Sequence, residues 1–319
     1  MRNGCVAVAL VLLGATGVRA DRVLTFSLPN ALLLFGDYNQ LRVVTAGGEQ
    51  VVHPAVDEGY NRGYFALPSI SARQDGVIAW GFAVGWDETR RHDKARFALG
   101  LYSRANQQWR TYGDFDDIGD AGISSDGTKV AFVARHHGRL TLQILNVATG
   151  ALTEGPYHRG MWPRGTPSWS PDLTHLAVQV HRPDETSFVA TLDLGTGELR
   201  AIGDGVFPRW SPDGTWIAFY SGRRCMVVHP DGSRSTVTMA LKDGWFTYKE
   251  FDWGGPVWSP DSKQLLLNIR KNGGPDDVIL LDLATRQTTT KSKNGLPIFG
   301  WVALHTKTGA AVYPRRLRP

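Results

Sequence analysis

Short apolar stretches separated by turn residues run through most of this chain, and one such pattern occurs five times. The three clearest copies read Pro-Ser-Trp-Ser-Pro-Asp at 167–172, Pro-Arg-Trp-Ser-Pro-Asp at 208–213 and Pro-Val-Trp-Ser-Pro-Asp at 256–261. Aligned on the turn serine, the copies lie 53, 46, 41 and 48 residues apart, at Ser71, Ser124, Ser170, Ser211 and Ser259. A period in the forties with strand-like content is typical of β-propeller blades.

Each copy predicts a hairpin between two apolar strands. Pro fixes φ at the first turn position and a following Gly accepts a left-handed backbone, so we expect positive φ at Gly214, where the equivalent positions hold Leu173 and Ser262. A second pair of apolar stretches follows in most units, as at 97–102 with 108–112 and at 142–147 with 150–153. Four short antiparallel strands per unit predict an all-β propeller.

The two ends of the chain carry incomplete units that complement each other. Residues 40–52 match an outer strand pair, whereas 297–303 and 310–313 match an inner pair. One blade built from both ends would remove the open sheet edge, so we predict six blades. The apolar stretch 31–35 also resembles a strand, which leaves a seventh, irregular blade as the alternative.

The first twenty residues predict a secretory signal peptide. A basic start leads into a short apolar stretch and then Val18-Arg19-Ala20, so we expect cleavage before Asp21 and a periplasmic or secreted protein. The apolar stretch is shorter than the roughly 18 residues of a membrane span, and no later segment qualifies. Residues 21–319 are then a single propeller domain in which Cys225 is the one cysteine, expected to be a buried apolar residue.

The repeats resemble those of TolB-like propellers, also called WD40-like β-propeller repeats. The resemblance rests on Trp-Ser-Pro-Asp-Gly-Thr-Trp-Ile-Ala-Phe at 210–219 and its copies at 169–178 and 258–267. In that family an α/β domain precedes a six-bladed propeller, and the propeller binds the lipoprotein Pal. Blade-like sequence begins here almost at Asp21, so we expect the α/β domain to be absent. The resemblance implies a binding role in the cell envelope.

Composition and motifs exclude several classes of function. The net charge of +5 falls to +3 when Arg2 and Arg19 leave with the signal, which is too mild to predict nucleic-acid binding. The chain has no Gly-x-Ser-x-Gly, phosphate-loop, His-Glu-x-x-His or Cys-x-x-Cys motif. We therefore predict no catalytic residues and no cofactor.

Two features raise the question of a bound metal. The acidic segment 114–120 offers carboxylates for Ca²⁺, but Ile118 stands at the third ligand position, and we interpret the segment as a solvated loop. The histidines His136, His137, His158 and His181 fall in loops predicted on one face, but no spacing among them is typical of a metal site. We predict no metal ligand, with a pore metal site as the alternative.

Three aromatic loops carry the predicted binding site. Each loop leads into the innermost strand of a blade, and such loops gather at one end of the central channel. Binding hot spots favour Trp, Tyr and Arg. The alternative is that these rings plug the channel or pack between blades. The predicted binding residues are Tyr60, Arg62, Tyr64, His158, Trp162, Arg164, Trp245, Tyr248 and Trp253.

These observations predict an exported, non-catalytic propeller that binds a cell-envelope protein or peptide at the channel mouth. A glycan is the alternative partner, which would make the protein a carbohydrate-binding propeller. The alternative from another class is an extracytoplasmic polysaccharide lyase or hydrolase with a pore metal.

Overall fold

The computed structural model describes residues 31–303 with gaps. The gaps are 38–39, 46–47, 53–68, 72–76, 85–95, 104, 107, 160, 162–164, 185, 234–235, 241–244, 247–254, 272–275 and 296–297. Every regular element within the described ranges is a β-strand. No helix in those ranges is long and apolar enough to cross a membrane.

Five consecutive units each fold into an antiparallel sheet. Blade 1 consists of β4 (Ser69–Ile70), β5 (Val77–Val84), β6 (Arg96–Ser103) and β7 (Gln108–Phe115). Blade 2 consists of β8 (Asp117–Ile118), β9 (Gly122–Ile123), β10 (Lys129–His136), β11 (Arg139–Asn146) and β12 (Leu152–Gly155). Blade 3 consists of β13 (Ser168–Trp169), β14 (His175–His181), β15 (Ser187–Asp193) and β16 (Leu199–Asp204).

The next two units continue this arrangement. Blade 4 consists of β17 (Val206–Trp210), β18 (Ile217–Ser221), β19 (Arg224–Val228) and β20 (Thr236–Ala240). Blade 5 consists of β21 (Trp245–Phe246), β22 (Val257–Trp258), β23 (Gln264–Lys271), β24 (Asp276–Asp282) and β25 (Thr288–Gly295). In blades 2 and 5 the innermost strand is split into two short pieces that both pair with the second strand.

A sixth sheet, the closing blade, joins the two ends of the chain. It contains β26 (Ile298–Ala303), β1 (Ala31–Asp37), β2 (Gln40–Thr45) and β3 (Gly48–Val52), in that order. The prediction of six blades closed by both ends is confirmed, and the strand at 31–35 belongs to the sixth blade. The predicted two-plus-two division is wrong: the described sheet has one C-terminal strand and three N-terminal strands, and β26 pairs with β1, with Ala31 opposite Ala303. Residues 310–313 lie outside the described residues.

The repeated serine organises each inner hairpin. In blades 2 to 5 the Ser Oγ donates to the Asp carboxylate two residues later, at 2.6–2.7 Å, and accepts the backbone N–H five residues later, at 2.8–2.9 Å. The third turn residue has positive φ, which confirms the prediction for Gly214 (79°) and extends it to Leu173 (62°) and Ser262 (61°). The turn geometry therefore persists without glycine.

The core lies between the blades. One cluster joins blade 4 to blade 5 and includes Phe207, Ala218, Tyr220, Trp258 and Leu267. Cys225 lies in this cluster and is fully buried, as predicted. The indole N–H of Trp258 donates to Arg209 O at 2.9 Å, so the repeated tryptophan also ties its blade to the preceding one. This packing holds the innermost strands of neighbouring blades at fixed positions around the channel.

Candidate functional site

The starts of four innermost strands meet at one end of the channel. The residue four positions before the turn serine is Asp120, Thr166, Phe207 or Gly255 in blades 2 to 5. Gly165 N–H donates to Asp120 Oδ2 at 2.9 Å, which joins blades 2 and 3. A Cβ at Gly255 would lie 2.5 Å from Phe207 O, so only glycine permits the approach of blades 4 and 5. We call this region the channel entrance.

A β-bulge shapes the entrance in blade 4. Val206 pairs with Tyr220 and Arg209 with Ala218, so β17 carries one extra residue. Phe207, within the bulge, has a φ of 56°, which is a strained conformation for a side chain of this size. Its N–H donates to the Gln179 side-chain Oε1 at 3.2 Å. Bulges change the direction of the side chains that follow them, and Arg209 follows Phe207 by two residues.

Arg209 spans blades 3 and 4 at this entrance. Its Nη1 donates to Thr166 O at 3.1 Å and to Pro208 O at 3.0 Å, which fixes one edge of the guanidinium. The residue is densely surrounded by protein yet keeps accessible surface, as expected for a group lining a channel. Burial lowers the pKa of Arg209 to about 10, against the opposing charge of Asp120. Arg209 therefore stays protonated at neutral pH.

Two buried hydroxyls next to Arg209 have no hydrogen-bond partner among the described residues. They are Thr166 Oγ1 and the Tyr220 hydroxyl, on residues that are each 2% exposed. Burial raises the pKa of Tyr220 well above its usual value, so the phenol remains a neutral donor. Buried polar groups are nearly always hydrogen-bonded in native proteins, so two such groups beside one cation need an explanation.

Tyr220 breaks a pattern that its equivalents obey. Gln179, Tyr220 and Asn268 each stand nine residues after the turn serine of their blade. Gln179 accepts the N–H of Phe207 in the next blade, and Asn268 accepts the N–H of Ile298 in the closing blade at 2.9 Å. The Tyr220 hydroxyl lies near the backbone N–H of Asn268 in blade 5, but its own O–H has no acceptor among the described residues. The interface between blades 4 and 5 therefore keeps an unused O–H donor within the described residues.

Most of the predicted binding residues lie outside the described residues. These are Tyr60, Arg62, Tyr64, Trp162, Arg164, Tyr248 and Trp253, and of Trp245 only the backbone, in β21, is described. His158 is half-buried, and its Nε2 lies 2.7 Å from Gly197 O, in the turn between β15 and β16. The structure thus places one predicted binding side chain, His158, and finds it bonded to a neighbouring turn.

The interpretation of 114–120 as a solvated loop is wrong. Asp114 and Asp117 belong to β7 and β8, and the Arg96 guanidinium bonds to Asp114 and Asp116. The bond from Arg96 lowers the pKa of Asp114, whereas the pKa of Asp116 is lowered first by the Gly138 N–H and then by Arg96. Asp120 is 3% exposed and faces blade 3 through Gly165. The acidic residues therefore form strand and inter-blade contacts.

The histidines proposed for a pore metal are engaged separately. The rings of His136 and His137 lie 4.1 Å apart, whereas His181 Nε2 lies 3.1 Å from Gln179 Nε2 and 3.2 Å from Ser187 Oγ. Burial lowers the pKa of His181. Within the described ranges, no group of three or more His, Cys, Asp or Glu side chains is placed to hold a metal ion.

A second concave region lies on the opposite face, at the serine turns of blades 3 and 4. The indole N–H groups of Trp169 and Trp258 bond to the preceding blade, at Gly122 O and Arg209 O. That of Trp210 bonds instead to Gly214 O in its own turn, at 3.2 Å. Trp210 lines a cleft of about 510 Å³, the turn-face cleft, with His175, Asp193, Glu198, Arg200 and Asp231 among its other residues.

Sequence reasoning missed Arg209, although the alignment contains a signal for it. Two positions before the turn serine, the other four repeats hold Ser69, Gly122, Ser168 and Val257, all small or apolar. Arg209 is the single arginine at this position of the repeat, and it marks the blade that departs from the pattern. The buried hydroxyls of Thr166 and Tyr220 carry no such signal, since their burial depends on neighbouring blades.

No family model matches the sequence. Among solved structures the chain is similar to TolB from Acinetobacter baumannii, with a TM-score of 0.64 and 13% identity over 85% of this chain. It spans 66% of that TolB chain. A putative TolB from Agrobacterium tumefaciens gives a TM-score of 0.57 and 17% identity, over 85% of this chain and 91% of that one.

A chain in a nidogen/laminin complex gives a TM-score of 0.58 and 13% identity, over 86% of this chain and 98% of that one. At such identities the likeness shows the fold alone. Together with the six sheets and the repeated serine turns, it shows that the chain has a β-propeller fold similar to that of the TolB structures.

Proposed function

We propose that this protein is an exported, non-catalytic binding module whose channel entrance binds a protein or peptide of the cell envelope. The observation that supports this most strongly is the pair of buried hydroxyls, Thr166 and Tyr220, beside the Arg209 guanidinium. Apolar packing around Tyr220 joins blades 4 and 5. Donors that have no acceptor among the described residues favour a ligand that supplies the acceptors.

The predicted aromatic residues extend this site outward along the chain. Trp162 and Arg164 precede Gly165, whose N–H bonds to Asp120, and Trp253 precedes Gly255, which touches Phe207. Trp, Tyr and Arg are the residues that contribute most often to binding hot spots. We propose that these loops form the rim of the site and Arg209 its floor.

The structural neighbours are consistent with a binding role. One neighbour belongs to a complex of two proteins, nidogen and laminin, and two neighbours are TolB proteins. A propeller with variable loops on a rigid scaffold suits recognition of a macromolecule.

The test is affinity capture from an envelope extract, read by quantitative mass spectrometry. We expect Trp162→Ala or Trp245→Ala to weaken a captured partner by about 2 kcal/mol, close to 30-fold, because aromatic anchors dominate interface energies. Glu198→Ala, on the turn-face cleft, is the matched control and should bind as the wild type does. Loss of capture only in Glu198→Ala would contradict the proposal. Equal thermal unfolding midpoints must show that each variant is folded.

The rival functions give different results with the same purified protein. A lyase or hydrolase with a pore metal predicts a stoichiometric transition metal by elemental analysis. If the protein is a carbohydrate-binding propeller, it should capture glycan fragments, and it should capture no protein in a way that depends on Trp162. Either result would replace the proposed function.

A further inference from the structure

Three donor groups with unused hydrogen-bonding capacity lie together at the channel entrance. The Arg209 Nη1 edge is fixed by two backbone carbonyls, whereas Nε and Nη2 have no hydrogen bond within the described ranges. Thr166, whose carbonyl accepts one Nη1 bond, keeps a buried hydroxyl without a partner. The buried Tyr220 hydroxyl lies near the Asn268 N–H, has no acceptor for its own O–H among the described residues and interacts electrostatically with the same guanidinium.

The geometry of these donors matches one acceptor class. The open edge of a guanidinium presents two parallel N–H groups, which pair with the two oxygens of a carboxylate. A carboxylate can accept about four hydrogen bonds, so the two hydroxyls can bond to the same group. A neutral carbonyl offers one oxygen and cannot use both N–H groups of the fork equally well.

Charge favours the same class of ligand. Asp120 is the nearby acidic group, but its Oδ2 accepts the Gly165 N–H, and the hydrogen bonds that Arg209 donates within the described ranges go to Thr166 and Pro208. The opposing charge of Asp120 does not cancel the cost of burying the cation, since the pKa of Arg209 is still lowered. A buried cation of this kind is stabilised by a hydrogen-bonded anion.

The bulge in β17 gives the site a fixed form. Phe207 has a φ of 56°, and its N–H bonds to the Gln179 side chain. The bulge separates Val206 from Arg209 by three residues where β18 uses two. Strained backbone of this kind persists only where surrounding contacts enforce it, and it is concentrated at binding sites. The arginine fork is thereby held in place before any ligand arrives.

We propose that Arg209, Thr166 and Tyr220 form a carboxylate-binding site that receives an acidic group of a peptide partner in the channel. This inference rests on the proposed function, since it names the chemical group that the channel entrance recognises. The carboxylate is a Glu or Asp side chain or the C-terminus of the partner. Both sources present the same two oxygens.

The experiment titrates defined probes against the full-length mature chain and reads dissociation constants by ligand-observed NMR. N-acetylglycine represents a chain terminus, N-acetylglutamate α-amide an acidic side chain, and N-acetylglycinamide is the neutral control. We expect at least one carboxylate to bind about tenfold or more tightly than the neutral amide, because charge-assisted bidentate bonds are the stronger ones. Equal binding of all three probes would overturn the inference.

Variants assign the site. Arg209→Gln should weaken the bound carboxylate by about tenfold or more, and Arg209→Lys should weaken it less, since it keeps the charge and loses the fork. Tyr220→Phe and Thr166→Val should each weaken it by about threefold or more with little loss of thermal stability, because neither hydroxyl donates a hydrogen bond to any described residue. Arg200→Gln, an exposed arginine on β16, is the matched control and should leave the constants unchanged.

The outcomes separate this inference from the proposed function. If Arg209→Gln and Tyr220→Phe leave carboxylate binding unchanged, the proposed carboxylate site is wrong, even if a partner is captured through Trp162. Suppose that carboxylate binding depends on Arg209 but no entrance variant affects capture of the partner. That result supports the carboxylate site and contradicts the proposed function. If Arg209→Gln is unfolded, Tyr220→Phe and Thr166→Val decide the question alone.

Discussion

The side-chain amide of Asn268 forms two hydrogen bonds with the backbone of Ile298: Nδ2 donates to O at 2.8 Å, and Oδ1 accepts from N at 2.9 Å. Asn268 lies on β23 and Ile298 begins β26, so this pair joins blade 5 to the closing blade. Both residues are buried. One amide thereby satisfies both backbone groups of the residue at which the ring closes.

Asn268→Ala should destabilise the protein by about 3 kcal/mol, because it leaves the N–H and carbonyl of Ile298 buried and unbonded. The free energy of unfolding from urea titration measures the effect. Asn106→Ala is the matched control, since Asn106 is exposed and bonds only within its own turn, to Gln108. Equal stability of the two variants would show that the amide does not secure the closure.

A second prediction concerns the left-handed turn position of blade 4. Gly214→Val should cost about 1 kcal/mol or more, because Gly214 has a φ of 79° and a β-branched residue is strained there. A Cβ at this position would meet Pro171 at 3.4 Å, an ordinary contact, so the cost comes from the backbone. Gly195→Val is the control, at a glycine without positive φ. An unchanged free energy of unfolding in Gly214→Val would contradict the turn geometry.

The inner hairpins were predictable because their causes are local. A serine, a Pro-Asp pair and a left-handed third residue lie within a few positions of one another, and the structure uses them as a hydrogen-bonded unit around Ser170, Ser211 and Ser259. Leu173 and Ser262 show that the unit imposes positive φ even without glycine. The repeat therefore specified the inner hairpins of the blades and their spacing.

The closure was less predictable because its partners are far apart in sequence. The stretch 31–35 has the apolar pattern of a strand, but nothing local indicates that Ala31 pairs with Ala303 rather than forming another blade. The channel entrance has the same property. Arg209 stands out among the repeats, whereas the isolation of the Thr166 and Tyr220 hydroxyls depends on how three blades pack.

A third prediction concerns pH and His181. Burial lowers the pKa of His181, and its Nε2 accepts the Gln179 Nε2–H only when the ring is neutral. In the unfolded chain the pKa of His181 is about 6.5, and in the folded protein it is lower. Between these two values the unfolded chain binds the proton more readily, so the stability of the protein falls as the pH falls from the unfolded value to the folded value. Urea midpoints at about pH 7.5 and pH 5 should differ less in His181→Gln than in the wild type.

The control for the pH prediction is His137→Gln, at an exposed histidine of the hairpin between β10 and β11. This variant should keep the full pH dependence of the wild type. An unchanged pH dependence in His181→Gln would mean that protonation of another group reduces stability in acid.

A fourth prediction concerns export. The mature N-terminus should be Asp21, since Val18-Arg19-Ala20 ends the predicted signal peptide. The intact mass and N-terminal sequence of the protein recovered from the periplasm or the medium measure this. A chain that retains Met1 in those fractions would contradict export by cleavage.

Binding at the channel entrance is tested by site-specific photo-crosslinking in intact envelopes. A photoreactive amino acid is placed at Trp162 or Trp245, in the loops proposed to form the rim of the entrance, and at Glu198 or Asp231, on the turn-face cleft. We expect the entrance positions to yield one discrete crosslinked protein and the turn-face positions to yield none. Crosslinking to a discrete partner from Glu198 or Asp231, with none from the entrance positions, would contradict binding at the entrance.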